Sequence, residues 1–213
     1  MVSGSSFIAF LVASLVLIVI PGPSVLFVIG RSLSLGRRAG LISVLGNETG
    51  AIPLVAAVAF GIGALVSASL VVFTIIKIAG CLYLAFLGVQ AIRHRKDHAL
   101  EVTRTGGRAP SDQRIYLQGC FVGITNPKTI VFFVAVLPQF VNRSAGLIPL
   151  QLLELGGIFI LIALVSDGTW AYLAGTARNW FATSPKRISN LSAIGGGLII
   201  GLSGVLLLTG NHR

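Results

Sequence analysis

Three carboxylic acids and one lysine stand where charge is costly. Glu48, Glu154, Asp167 and Lys128 all fall inside long apolar runs. A charged side chain at the middle of a bilayer costs about 2.5–3.5 kcal/mol or more, so such groups face a cavity, pair with one another, or hold a proton. Burial disfavours the charged form of a carboxyl, which suits a group that takes up and releases protons. Glu48, Asp167 and Glu154 are therefore the candidates for proton coupling. The plainer alternative makes Glu48 and Glu154 structural partners of Lys128 or of Lys77, the other lysine within an apolar run. Lys77 lies near the end of its run, where its stem can carry the ammonium to the surface. Lys128 lies roughly 18 Å from either end of its run, beyond that reach.

Two breaks accompany these charges. Ile20-Pro21-Gly22-Pro23 interrupts an apolar run from Phe7 to Gly30, and Thr125-Asn126-Pro127-Lys128 interrupts another from Tyr116 to Val141. Pro21 and Pro23 lack the N–H groups that would bond the carbonyls of Leu17 and Val19, and Pro127 frees the carbonyl of Gly123. Within lipid, unpaired carbonyls persist only where protein or a water-filled cavity receives them. Interrupted hydrophobic segments in two halves of a chain point to a transporter's binding site; a kink for packing alone is the simpler alternative. Free N–H groups at a broken helix favour a carboxylate. A zwitterion fits this set. Its carboxylate would meet Lys128, Asn126 and the N–H groups around Pro21, Gly22, Pro23 and Pro127. Its ammonium would meet Glu48, Asp167 and freed carbonyls.

Composition bounds the setting. Of 213 residues, 54% are apolar and only 10% charged, with a mean hydropathy of +0.92. Such a chain is a membrane protein. The net charge of +10 lies between the apolar runs, which suits topology control and anionic headgroups, not nucleic acid. Cys81 and Cys120 fall inside apolar spans and read as buried thiols. His94, His98 and His212 have no metal spacing. No nucleophile–base pair, phosphate loop or cofactor motif is present, so an enzyme has no support.

The elements that must position the site are six helices, expected near 6–30, 39–66, 69–92, 115–141, 147–175 and 188–210. The first span lacks a basic leader and a cleavage site and is expected to be retained. Residues 1–92 form a first three-helix repeat, 93–114 a polar linker, and 115–213 a second repeat. Arg31, Arg37, Arg38, Arg93, Arg95, Lys96, Arg104, Arg108, Arg114, Arg178, Lys186 and Arg187 lie on one side; Arg143 and Arg213 lie on the other. Twelve against two places the linker in the cytoplasm and both termini outside. Arg38-Ala39-Gly40-Leu41-Ile42 resembles Arg143-Ser144-Ala145-Gly146-Leu147-Ile148, and in this register Glu48 meets Glu154. Gly80 and Gly88 likewise match Gly196 and Gly204. Three spans per half make the repeats inverted in topology. Gly46-x-x-x-Gly50 and Gly197-x-x-x-Gly201 permit close helix packing. Trp170, Tyr172 and Phe140 either line a path or anchor at the interface.

These residues resemble the lysine exporter/homoserine–threonine resistance (LysE/RhtB) family over nearly the whole chain. The resemblance rests on Pro21-Gly22-Pro23, on Gly80-Cys81-Leu82-Tyr83-Leu84-Ala85-Phe86-Leu87-Gly88, on Asn126-Pro127-Lys128 followed by Leu137-Pro138-Gln139-Phe140, and on Asp167 through Trp170 to Tyr172. It implies an all-α bacterial inner-membrane protein that expels amino acids, of the homoserine, threonine, leucine or basic type, in exchange for protons. One position departs: relatives often carry an acid or His just after the second glycine of the second-span Gly-x-x-x-Gly, where this chain has Ala51. The implied partners are an amino acid, protons and membrane lipids, with a homodimer left open. The rival readings are export of another solute or a cation, and a membrane scaffold that transports nothing.

Overall fold

The computed structural model describes residues 2–20, 22–62, 70–94, 111–177 and 184–208. Pro21, residues 95–110 of the expected linker, Arg178 and the C-terminal His212 and Arg213 lie outside the described residues, as does the side chain of Lys77. Every regular element described is a helix.

The first apolar run is two helices, α1 (Gly4–Val19) and α2 (Pro23–Leu35). Ser3 starts α1 by accepting the N–H of Ser6 on its hydroxyl, 3.2 Å away. Ile20 ends it in extended backbone. Pro23 then opens α2 in its first turn, where a missing N–H removes no helical bond. The second helix, α3 (Arg37–Ala57), runs on through a widened turn at Val58–Ile62. Gly36, at φ +90°, makes the sharp joint between α2 and α3, a conformation that favours glycine. Next comes α4 (Leu70–Arg93).

The later helices follow after residue 110. α5 (Asp112–Thr125) is capped by Ser111. Asn126 ends it, and Pro127 opens α6 (Pro127–Val131) in its first turn. A widened turn (Phe132–Val136) and a tight one (Leu137–Phe140) continue α6. A short turn at Arg143–Ala145 leads to α7 (Ile148–Thr176), and α8 (Pro185–Leu208) follows.

Among the described residues, two helices are long and apolar enough to cross a membrane by themselves, 37–61 and 148–176. The pairs α1–α2 and α5–α6 also qualify, each bent by more than 40° at its break, which makes up to four spans. The spans expected near 69–92 and 188–210 correspond to helices α4 and α8, each of 24 residues. Apolar side chains such as Val12, Ile52, Leu161 and Val165 face outward, as lipid-facing residues do.

The core lies where the broken helices meet α7. Phe10, Phe132, Phe133, Phe140 and Phe159 form a buried aromatic cluster. Phe140 is thus a core residue packed edge-on against Phe10, with ring centroids 5.6 Å apart, and not an interface anchor. Tyr172 does lie outward, with the Arg37 guanidinium 5.2 Å from its ring centre. Cys81 and Cys120 stay thiols, one buried and one half-buried.

Glycine makes the tightest seam, between α3 and α5. A Cβ on Gly46 would strike the Tyr116 carbonyl, and one on Gly50 the Cys120 carbonyl. Facing them, a Cβ on Gly119 or Gly123 would strike the backbone of Ser43 or Asn47. Two Gly-x-x-x-Gly pairs therefore mesh backbone to backbone. Around Gly197 and Gly201, nothing among the described residues lies within 4 Å of where their Cβ atoms would be. Arg38 and Asp112 close one end of the α3–α5 seam with an ion pair of 2.6 Å. Asp112, at the end of the expected linker, is therefore ion-paired.

Candidate functional site

The two breaks dock on each other. The Lys128 ammonium donates to the carbonyl oxygens of Leu17, at 2.7 Å, and Ile20, at 3.0 Å. These are the last carbonyls of α1, left over where the helix stops. Lys128 is only 4% exposed, so its charge is largely withdrawn from bulk solvent. Hydrogen bonds to a charged group contribute about 1.5–3 kcal/mol each. Two of them offset an insertion cost of about 2.5–3.5 kcal/mol. The sequence leads one to expect free carbonyls at Leu17 and Val19; the pair the lysine takes is Leu17 and Ile20.

Gly22 makes room for this contact. A Cβ there would lie 3.0–3.2 Å from the Nζ, Cε and Cδ atoms of Lys128. Asn126 makes the second link: its Oδ1 accepts the Lys128 backbone N–H at 3.1 Å, and its Nδ2 donates to the Ser24 hydroxyl at 3.0 Å. The Gly123 carbonyl does not stay free, because the turn tightens and the Asn126 N–H reaches it at 3.5 Å.

A cavity of about 20 Å³ lies beside the docked breaks. That is space for a single water molecule. Glu48 from α3, Lys128 and Thr129 from α6, and Asp167 from α7 line it, with Phe159 as an apolar wall. Glu48 and Asp167 are 5% and 3% exposed. Asn47 donates from Nδ2 to a Glu48 oxygen at 2.8 Å. The Oδ1 atoms of Asn47 and Asp167 are buried without a hydrogen-bond partner among the described residues. Buried acceptors left unpaired are costly, and here they belong to the lining of one cavity. No ion pair joins Glu48 or Asp167 to Lys128 among the described residues.

Three candidates from different parts of the sequence thus converge: Glu48, Lys128 and Asp167. Gly22 and Asn126 support them. Pro23 and Pro127 open their half-helices, and the Pro23 ring is exposed. Glu154 is exposed on α7 and does not line the cavity. Three polar residues not singled out in the sequence belong to the lining: Asn47, Ser24 and Thr129. Asn47 carried a signal, since it is a polar neighbour of Glu48 within an apolar run. Among the described residues, no group of three or more His, Cys, Asp or Glu side chains is placed to hold a metal ion.

The model of the LysE type translocator family matches residues 15–210. The homoserine/homoserine lactone efflux protein of Salmonella typhimurium is 33% identical over 204 residues, covering 96% of each chain. The leucine efflux protein of an Enterobacter species is 28% identical over 197 residues, 91% of this chain and 89% of that one. An uncharacterized membrane protein of Bacillus subtilis is 29% identical over 209 residues, 93% of this chain and 99% of its own length. No solved structure matches the chain.

Proposed function

The chain belongs to the LysE type translocator family, and from that premise we propose that it is a secondary exporter of amino acids that exchanges them for protons. The relatives named for homoserine, homoserine lactone and leucine efflux support an amino-acid substrate. The observation that carries the reading is the seat of Lys128. One cation holds two broken-helix carbonyls beside two buried carboxylates, and a zwitterion complements each of these groups.

In this mechanism the substrate's carboxylate draws Lys128 away from Leu17 and Ile20. Its ammonium takes the released carbonyls together with Asp167 or Glu48. A cavity of about 20 Å³ admits no amino acid until those two bonds part, so binding and opening are one event. A carboxyl that loses its proton gains affinity for the ammonium, and one that regains it loses that affinity. Alternation between the two states is proton exchange. The architecture that goes with it is six spans in two inverted repeats, in the bacterial inner membrane, with the linker cytoplasmic and both termini periplasmic.

The test is efflux from proteoliposomes preloaded with a panel of amino acids, with and without an imposed pH gradient. Export of some members, faster when protons can enter in exchange, is expected. No flux of any member would favour a membrane scaffold. Flux indifferent to the gradient would remove the proton from the mechanism.

A further inference from the structure

A second cavity, of about 450 Å³, lies between α2 and α5, apart from the buried site. Arg31 and Arg114 line it together with Gln118, Phe27, Leu117 and Phe121. Gln118 fixes the Arg31 guanidinium by accepting an N–H at 2.7 Å, and the Phe27 ring lies against it, 5.1 Å from the guanidinium carbon to the ring centre. Arg114, two residues into α5, is exposed. Asp112, the acid closest to it in sequence, is occupied by Arg38. Leu117 and Phe121 follow one and two turns further along α5 and are 56% and 69% exposed.

Along α5 the lining therefore runs Arg114, Leu117, Gln118 with the Arg31 guanidinium of α2 upon it, and then Phe121. Two guanidinium groups stand toward the end where the basic residues of the first joint and the linker collect. Apolar side chains continue from them toward the middle of the span. A soluble anion would use only the first part, whereas a lipid uses both. We propose that this groove holds one anionic phospholipid, its phosphate between Arg31 and Arg114 and an acyl chain along Leu117 and Phe121. Basic pockets between helices near the cytoplasmic leaflet suit such headgroups. The bound lipid would bridge α2, which carries the first break, to α5, which ends at the second.

The test is lipid retention by the full-length, detergent-solubilised protein in native mass spectrometry, with equimolar phosphatidylglycerol and phosphatidylcholine. This measurement is independent of transport, so its failure would leave the export reading intact. One or two arginines at an anionic surface correspond to a preference for phosphatidylglycerol of roughly five- to thirtyfold. Arg31→Gln with Arg114→Gln should bring retention near parity, while Arg143→Gln, on the side with few basic residues, should keep the preference. A photoreactive phosphatidylglycerol should label residues 114–122 of the unaltered protein, an outcome that does not depend on any variant folding. Parity in the unaltered protein, a preference that survives the double substitution, or labelling confined to other helices would overturn the proposal. So would full competition by glycerol phosphate, which would make the groove a site for a soluble anion.

Discussion

The Lys128 ammonium lies 2.7 Å from the carbonyl oxygen of Leu17, although 111 residues separate them. This bond joins the second helix break to the first. Removing it should therefore loosen the protein as well as remove a binding group. Lys128→Met leaves the Leu17 and Ile20 carbonyls buried and unpaired, at about 1–3 kcal/mol each, against the relief of one buried charge. We expect a net loss near 2 kcal/mol, or roughly 4–8 °C in melting temperature for a chain of this size, together with loss of substrate binding. Differential scanning fluorimetry and a binding assay in detergent check both. Full stability in Lys128→Met would make the contact incidental.

Glu48 and Glu154 would be equivalent in the proposed repeat, yet one is buried and the other exposed. Glu48→Gln should abolish the acceleration of efflux by a pH gradient, and Glu154→Gln should leave it within about twofold, as surface changes usually do little. Efflux from proteoliposomes with and without the gradient decides. A Glu48→Gln variant that still responds fully would pass the proton role to Asp167.

The breaks themselves are open to restoration. Pro21→Ala with Pro23→Ala returns two backbone donors and favours an unbroken first helix. Normal insertion with lost export is expected, because a continuous helix offers Lys128 no carbonyls. Unchanged efflux would reduce the motif to a kink.

The meshed glycines and Gly201 differ in a way that stability measurements can read. Gly46→Ala or Gly123→Ala forces a methyl into backbone and should cost about 1–3 kcal/mol. Gly201→Ala meets nothing within 4 Å among the described residues and should change stability by less than about 0.5 kcal/mol. Equal losses at both places would contradict the meshed seam.

The proposed orientation rests on twelve basic residues assigned to one side against two on the other. Cysteine introduced at Thr105 should be inaccessible to an impermeant reagent from the periplasm, and cysteine at His212 accessible. The opposite pattern would reverse the topology.

Much of the site was legible because its residues are conspicuous in an apolar chain. Charge inside a span and proline inside a helix each need an explanation, and Glu48, Lys128 and Asp167 share one cavity. What Lys128 bonds was not legible, since a carbonyl carries no sequence signature and Leu17 looks like any leucine. Glu154 could have been separated from Asp167 by geometry alone. They lie thirteen positions apart on α7, which at about 100° per residue is roughly 220° around the helix. The Gly119–Gly123 pair was not singled out in a chain with 26 glycines, because its partner is set by tertiary packing.

The α3–α5 seam has a consequence for how the protein is made. Gly119 follows Gly46 by 73 residues, so α3 emerges from the ribosome well before the helix that covers it. At about 5–20 residues per second, the delay is roughly 4–15 s. During that interval the glycine face of α3 and the Glu48 carboxyl beside it await α5, and the first half of the chain cannot finish folding by itself. Its last steps belong to the second half's arrival in the membrane.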